Sequence, residues 1–279
     1  MPIMAVRDKG RVDLQEAFVH LSRATSLAGR PGILVLDEDL STLDGLTASR
    51  SRSRDLIGGL EREGRLRRVR RGAYALVDST GGVRSGLLDL VAALTPSPYL
   101  VTGGRALQFH ELSDQHFRRV HVVVTSQLRP WSWRGDEVRY VRTDKPLRGG
   151  AARTRRTPAR IAAPERAIAD SLSHPRWGVS LAQVVEALDI MLARGPSFPE
   201  RLAGGIAGRD SHALARRLGF LVSHLAGPEA ARVFLPLRGE GKASTPLQAG
   251  GRADGPIDGT WQVRVNADLE RLLQHRVIG

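Results

Sequence analysis

Residues Thr47 to Val77, TASRSRSRDLIGGLEREGRLRRVRRGAYALV, constrain the chain more than any other stretch. They read as one helix, a tight turn and a two-stranded hairpin. Nine arginines (Arg50, Arg52, Arg54, Arg62, Arg65, Arg67, Arg68, Arg70 and Arg71) face three acids (Asp55, Glu61 and Glu63), a net charge of +6. The 46 residues before this stretch hold five basic and seven acidic side chains. Charge concentrated this sharply is usually presented to a polyanion. The competing reading is a solvated basic surface that binds nothing.

Leu56, Ile57 and Leu60 fall at i, i+1 and i+4 and make one apolar stripe. Ser49 and Ser53 lie on the same side and are small enough to approach a neighbouring helix. Ser51, Arg54, Asp55, Gly58 and Arg62 point the other way, with Arg50 on the flank. A short-chained basic face on the first two turns suits a helix whose N-terminal half enters the major groove. Thr47 or Ser49 caps it, and Gly64 stands at the position after the helix where glycine is common. Leu66 and Val69 alternate with arginines, and Tyr74, Leu76 and Val77 continue an extended run. Gly72 supplies the positive φ that a hairpin tip needs. Helix then basic hairpin is the winged-helix arrangement, in which the hairpin contacts phosphate or the minor groove.

The preceding elements fit that order. Val12 to Leu27 places Leu14, Ala17, Phe18, Leu21 and Ala24 at helical spacing. Gly29-Arg30-Pro31-Gly32 breaks the helix, and Ile33 to Leu36 reads as a short strand. Asp37 to Leu46 reads as a second helix whose three early acids complement its dipole rather than bind metal. The first domain spans residues 1–80, and Ser79-Thr80-Gly81-Gly82 reads as a linker.

Residues 86–279 read as a second, larger mixed α/β domain, so the expected class is α+β. Gly86–Leu94 is a short helix ended by Thr95-Pro96-Ser97-Pro98, and Tyr99–Val101 is extended. Thr102–Leu112 is a helix opening on a glycine pair, which favours close packing over phosphate binding. Arg119–Thr125 is a strand buried on both faces, and Glu137–Arg142 is its partner. Trp131 and Trp133 lie between them and read as packing residues before base-stacking ones. A second basic stretch follows: Lys145, Arg148, Arg153, Arg155, Arg156 and Arg160, with no acid among them. It extends a nucleic-acid footprint or faces an acidic protein. Helices are expected at Pro164–His174, Val179–Leu192 and Ser211–Leu225, the last capped by Asp210. Gly239–Gly259 reads as a long mobile loop, Trp261–Val265 as a last strand and Ala267–Leu273 as a terminal helix.

Composition bounds the chemistry. The 279 residues carry a net charge of +13, and only three of the 42 basic residues are lysine. There is no cysteine, which excludes disulfides, thiolate metal sites and cysteine nucleophiles. No apolar run has the length of a membrane span, and the expected location is the cytoplasm. No spacing of histidines, serines or glycines marks a catalytic or cofactor site. Glu240-Gly241-Lys242 matches the acid-x-lysine of metal-dependent nucleases, but its glycines indicate a loop where that chemistry needs a strand. No cofactor, metal or catalytic residue is therefore expected.

Four blocks together resemble the AbiEi-type antitoxin family: REGRLRRVRRGAYALVD, then YLVTGGRALQFHEL, then HVVVTS, then APERAIADSL. The likeness runs from about Asp37 to Leu225. It implies an N-terminal winged helix that binds operator DNA and represses its own operon. It also implies a second domain that counters a nucleotidyltransferase-like toxin, and a protein that is not an enzyme. By the same resemblance the recognition helix is Ser49–Glu63, with Arg50, Ser51, Arg52 and Arg54 toward the DNA. Arg67, Arg68, Arg70 and Arg71 belong to the wing. Two other functions compete: a winged-helix regulator whose second domain binds a small effector, and a nucleic-acid-processing enzyme.

Overall fold

A computed structural model describes residues 13–36, 39, 50–83, 85–144, 150–152, 155–207, 211–241 and 243–274, with the backbone alone at 50–52. The described residues combine helices with several separate sheets, a mixed α/β architecture in keeping with the α+β class. The chain divides into two compact units. The first comprises Met1–Ser97 together with Trp131–Arg134 and Thr154–Ala159; the second comprises the remainder.

In the first unit, α1 spans Leu14–Leu27 and is capped by Asp13, whose carboxylate accepts from the Gln15 N–H at 2.7 Å. Strand β1 (Ile33–Val35) follows, then α2 (Arg50–Arg62), β2 (Leu66–Arg70) and β3 (Ala73–Leu76). The sheet order is β1-β3-β2, antiparallel throughout. Alternate residues of a strand point to opposite faces. Leu34, Leu66, Tyr74 and Leu76 therefore share one face, and they pack with Ala17, Leu21, Leu56, Ile57 and Leu60 from α1 and α2. The expected helix over 37–46 lies outside the described residues except for Asp39. The Asp39 carboxylate accepts from the Arg30 guanidinium at 2.9 and 3.3 Å and from the Val35 N–H at 2.8 Å.

The second face of this sheet is also covered. Ile33, Ala73 and Ala75 are buried although they point away from α1 and α2. Helix α3 (Leu87–Leu94) packs against β1 and brings Leu87, Leu90, Val91 and Leu94, all buried. Each such side chain contributes about 1.5–3 kcal/mol by leaving water. The second unit accordingly starts at Pro98, not at Gly86 as the sequence reading places it. The Ser79–Gly82 segment is a turn rather than a linker. Asp78 Oδ1 accepts from Thr80 N, Thr80 Oγ1 and Gly82 N at 2.9, 2.6 and 2.9 Å.

In the second unit, β4 (Tyr99–Thr102) pairs antiparallel with β5 (Arg119–Val124). β5 in turn pairs parallel with β7 (Asp136–Arg142). Between β4 and β5 runs α4 (Gly104–Phe109). A side chain at Gly104 would collide with the Phe117 ring, so the glycine pair serves close packing. β6 (Trp131–Trp133) is the part of this region that belongs to the first unit. Helices α5 (Pro164–Ser173), α6 (Leu181–Arg194), α7 (Phe198–Ile206) and α8 (His212–Ala226) pack together, with α5 also against β4. Ser211, not Asp210, caps α8, accepting from the Leu214 N–H at 3.3 Å; Asp210 itself lies outside the described residues.

The expected mobile loop at Gly239–Gly259 is instead held by Arg216, which is 5% exposed. Its guanidinium donates to the carbonyls of Arg238, Ala243 and Gly241 at 2.9, 2.5 and 2.5 Å. Two-residue strands at Thr245–Pro246, Ile257–Asp258 and Val263–Arg264 form a small sheet beside α8. The chain ends its described part with a short helix, Leu269–Leu273, capped by Asp268. No described helix is long and apolar enough to cross a membrane.

Candidate nucleic-acid interface

Helix α2 is placed by its apolar stripe. Leu56, Ile57 and Leu60 are buried, and Ser53 is buried beside them, while Arg54, Asp55, Glu61 and Arg62 on the other side are exposed. The helix ends at Gly64, which takes φ +72. The Arg65 N–H then reaches back to the Leu60 carbonyl at 2.9 Å and the Gly64 N–H to that of Glu61 at 3.0 Å. That is the glycine-terminated closure expected at a helix C-terminus. The chain thus passes directly into β2, turns at Gly72 with φ +77, and returns as β3. A register shift between Arg68 and Arg70 bulges the hairpin, so Arg67 and Arg68 are both exposed and Val69 is buried.

The arginines of this segment fall into two groups. Arg62, Arg65 and Arg70 are held by the protein. Arg62 Nε donates to the Gly58 carbonyl at 3.2 Å. Arg65 pairs with Glu63 at 3.0 Å, bonds Gln15 and lies 5.6 Å from the centre of the Phe18 ring. Arg70 Nη2 donates to the Leu94 carbonyl at the end of α3, at 3.1 Å. Arg54, Arg67, Arg68 and Arg71 are exposed and have no ion-pair or hydrogen-bond partner among the described residues. The side chains of Arg50, Ser51 and Arg52 lie outside the described residues. Unpaired like charges repel one another in the free protein, and a polyanion relieves that repulsion while releasing its own counterions.

The second basic stretch is described only in part. Lys145, Arg148 and Arg153 lie outside the described residues. Arg155 and Arg156 belong to the first unit and Arg160 to the second, all three exposed. The segment bearing Arg155 is attached to α3, where Thr157 Oγ1 donates to Asp89 Oδ1 at 3.4 Å. Trp131 and Trp133 are each 7% exposed and serve packing, which leaves no free ring face for a base. Arg134, which follows them, is exposed and belongs to the first unit. It stands 63 residues beyond Arg71, where no local pattern in the sequence links it to the hairpin.

The second unit holds a different polar cluster. Thr102 and Asp170 are buried; Thr102 Oγ1 donates to Asp170 Oδ2 at 2.8 Å, and Arg166 Nε donates to the same oxygen at 2.7 Å. Nearby, Trp177 stacks with both His121 (4.9 Å, 10°) and His174 (4.1 Å, 8°). The His121 Nδ1 is buried without a hydrogen-bond partner among the described residues. Burial, reinforced by Arg119, Arg139 and His174, pushes its pKa down from 6.5 to about 4. A neutral imidazole stacked in this way is suited to packing. Glu240 is an exposed loop residue and Gly241 gives its carbonyl to Arg216, so the acid-x-lysine stretch lacks the strand that nuclease chemistry requires. Lys242 lies outside the described residues.

The fold is similar to that in the crystal structure of the RV2827C protein from Mycobacterium tuberculosis. The TM-score is 0.69 over 95% of this chain and 95% of that one, at 18% sequence identity. At that identity the likeness establishes the fold alone. No protein-family model matches the sequence, and no curated protein matches it.

Proposed function

We propose that the chain is a DNA-binding antitoxin. Its first unit is a winged helix that binds operator DNA and represses its own operon, and its second unit counters a nucleotidyltransferase-like toxin. The observation that carries the DNA-binding half is the set of exposed arginines Arg54, Arg67, Arg68 and Arg71, without partners among the described residues, on one helix and the hairpin that follows it. The order helix, strand, helix, hairpin with sheet order β1-β3-β2 supports reading α2 as the recognition helix and β2–β3 as the wing. In this reading Arg54 reads base edges, with Arg50, Ser51 and Arg52 preceding it on the same helix. Arg67, Arg68 and Arg71 contact phosphates, which position the protein without carrying sequence information. Arg70 braces the wing against α3.

The antitoxin half is supported by the resemblance of four sequence blocks to AbiEi-type proteins, three of which lie in the second unit. One experiment separates the halves. The full-length protein is co-expressed with the product of the adjacent gene, alongside a reporter driven by the operon's own promoter. The wild type is expected to restore growth and silence the reporter. The Arg67→Ala/Arg68→Ala/Arg71→Ala variant is expected to restore growth and release the reporter. Failure of the wild type to restore growth removes the antitoxin assignment; a silent reporter in the triple variant removes the wing.

A further inference from the structure

We propose that Arg134 is a further phosphate-contacting residue of the DNA-binding surface, carried to the wing by a part of the chain distant in sequence. This rests on the reading of the first unit as a DNA-binding module and adds a second, independent strand to it. β6 packs beside β2, the strand bearing Arg67 and Arg68, and Trp131–Arg134 belongs to the same unit as that strand. Trp131 and Trp133 are buried and fix the strand, while Ser132 and Arg134 alternate outward.

The backbone at this point is unusual for an arginine. Arg134 takes φ +51 and Gly135 φ +87, consecutive left-handed positions of the kind a type I′ turn requires. Turn chemistry there favours asparagine, aspartate or glycine, because a longer L side chain is strained at positive φ. A residue that breaks the local rule without a packing gain points to function. The side chain is exposed, so packing does not account for it. Its guanidinium lies 5.9 Å from the Trp133 ring centre, and it has no carboxylate or carbonyl partner among the described residues. One face is steadied by the ring and the N–H edge is free. That is the geometry for a phosphate oxygen, which a planar guanidinium meets with paired hydrogen bonds. A single guanidinium projecting from a turn contributes affinity rather than base recognition.

The test uses full-length protein and a random-sequence DNA duplex, with the dissociation constant measured across a range of salt concentrations. Arg134→Asn, which suits the turn, is expected to melt no lower than the wild type and to lose about 0.9 from the log–log salt slope, one phosphate's share. Arg134→Lys keeps the charge and is expected to keep the slope. Arg176→Ala removes an exposed arginine from the second unit and is expected to leave the slope unchanged. Two outcomes overturn the inference while leaving the DNA-binding reading intact. In one, Arg71→Ala lowers the slope and Arg134→Asn does not; in the other, Arg176→Ala lowers it as much as Arg134→Asn. A wild-type slope of zero overturns both.

Discussion

The Arg70 guanidinium donates to the main-chain carbonyl of Leu94 at 3.1 Å, tying β2 to the C-terminal end of α3. One arginine of the hairpin is thereby engaged within the protein, at the helix end where a cation also meets the negative pole of the dipole. Arg70→Ala is expected to destabilise the first unit by about 1.5–3 kcal/mol, the range for a hydrogen bond from a charged donor. Arg71→Ala, at the exposed tip, is expected to leave stability unchanged and to lower the salt slope of DNA binding by about 0.9. Thermal melts and salt titrations of the two variants check this; a slope that falls for Arg70→Ala and not for Arg71→Ala reverses the assignment.

Arg54 lies on the exposed face of α2, opposite Leu56, Ile57 and Leu60. Arg54→Ala is expected to cost about 1–3 kcal/mol at the operator and much less on random DNA, because a base contact is lost. Parallel titrations against operator and random duplexes measure the ratio. An equal loss on both assigns Arg54 to phosphate.

These two arginines show what the sequence made legible. The helix over 50–62, its closure at Gly64 and the turn at Gly72 follow from local rules: apolar spacing, and the low cost of positive φ for glycine. The engagement of Arg70 depends on Leu94, 24 residues on, and no local pattern announces it. Helix α3 falls in the first compact unit, whereas the linker-like composition of Ser79-Thr80-Gly81-Gly82 points to a boundary before it. The order of that segment comes from one carboxylate, Asp78. Helix Phe198–Ile206 escaped notice since Pro199, Gly204 and Gly205 are poor helix formers in isolation, and burial of Phe198, Leu202 and Ile206 overrides them.

The tail is a further case. Glycine-rich composition at Gly239–Gly259 reads as mobility, yet the carbonyls of Gly241 and Ala243, with that of Arg238 just before them, converge on the buried Arg216. Arg216→Met keeps the aliphatic stem and leaves the carbonyls unpaired. Stability is expected to fall by about 3 kcal/mol, given hydrogen bonds of about 1.5–3 kcal/mol each from a charged donor and partial recovery by water. Limited proteolysis is expected to cut the variant within 238–244 before the wild type is cut. Unchanged protection of that segment contradicts the clamp.

His121 is expected to make the second unit acid-sensitive. Its folded pKa is about 4 against an ordinary 6.5. The unfolded chain therefore takes up a proton that the folded chain refuses between those values. Stability is full above pH 6.5, falls as pH drops toward 4, and levels off below. The total from this group is about 3 kcal/mol at about 1.4 kcal/mol per pH unit. His121→Phe retains the stack on Trp177 and is expected to lose less stability than the wild type between pH 7 and pH 4.5. Denaturant midpoints at the two pH values give the answer; identical losses in both proteins place the acid sensitivity elsewhere.

The central claim is that the exposed arginines of the hairpin meet DNA phosphate. The most direct measurement is the dissociation constant of the full-length protein for a random-sequence duplex as a function of salt, for the wild type and the Arg67→Ala/Arg68→Ala/Arg71→Ala variant. The account predicts a straight, steep log–log plot for the wild type. The variant's slope is shallower by about 2.7, three phosphates at about 0.9 each. A flat wild-type plot, or coincident slopes for the two proteins, contradicts it.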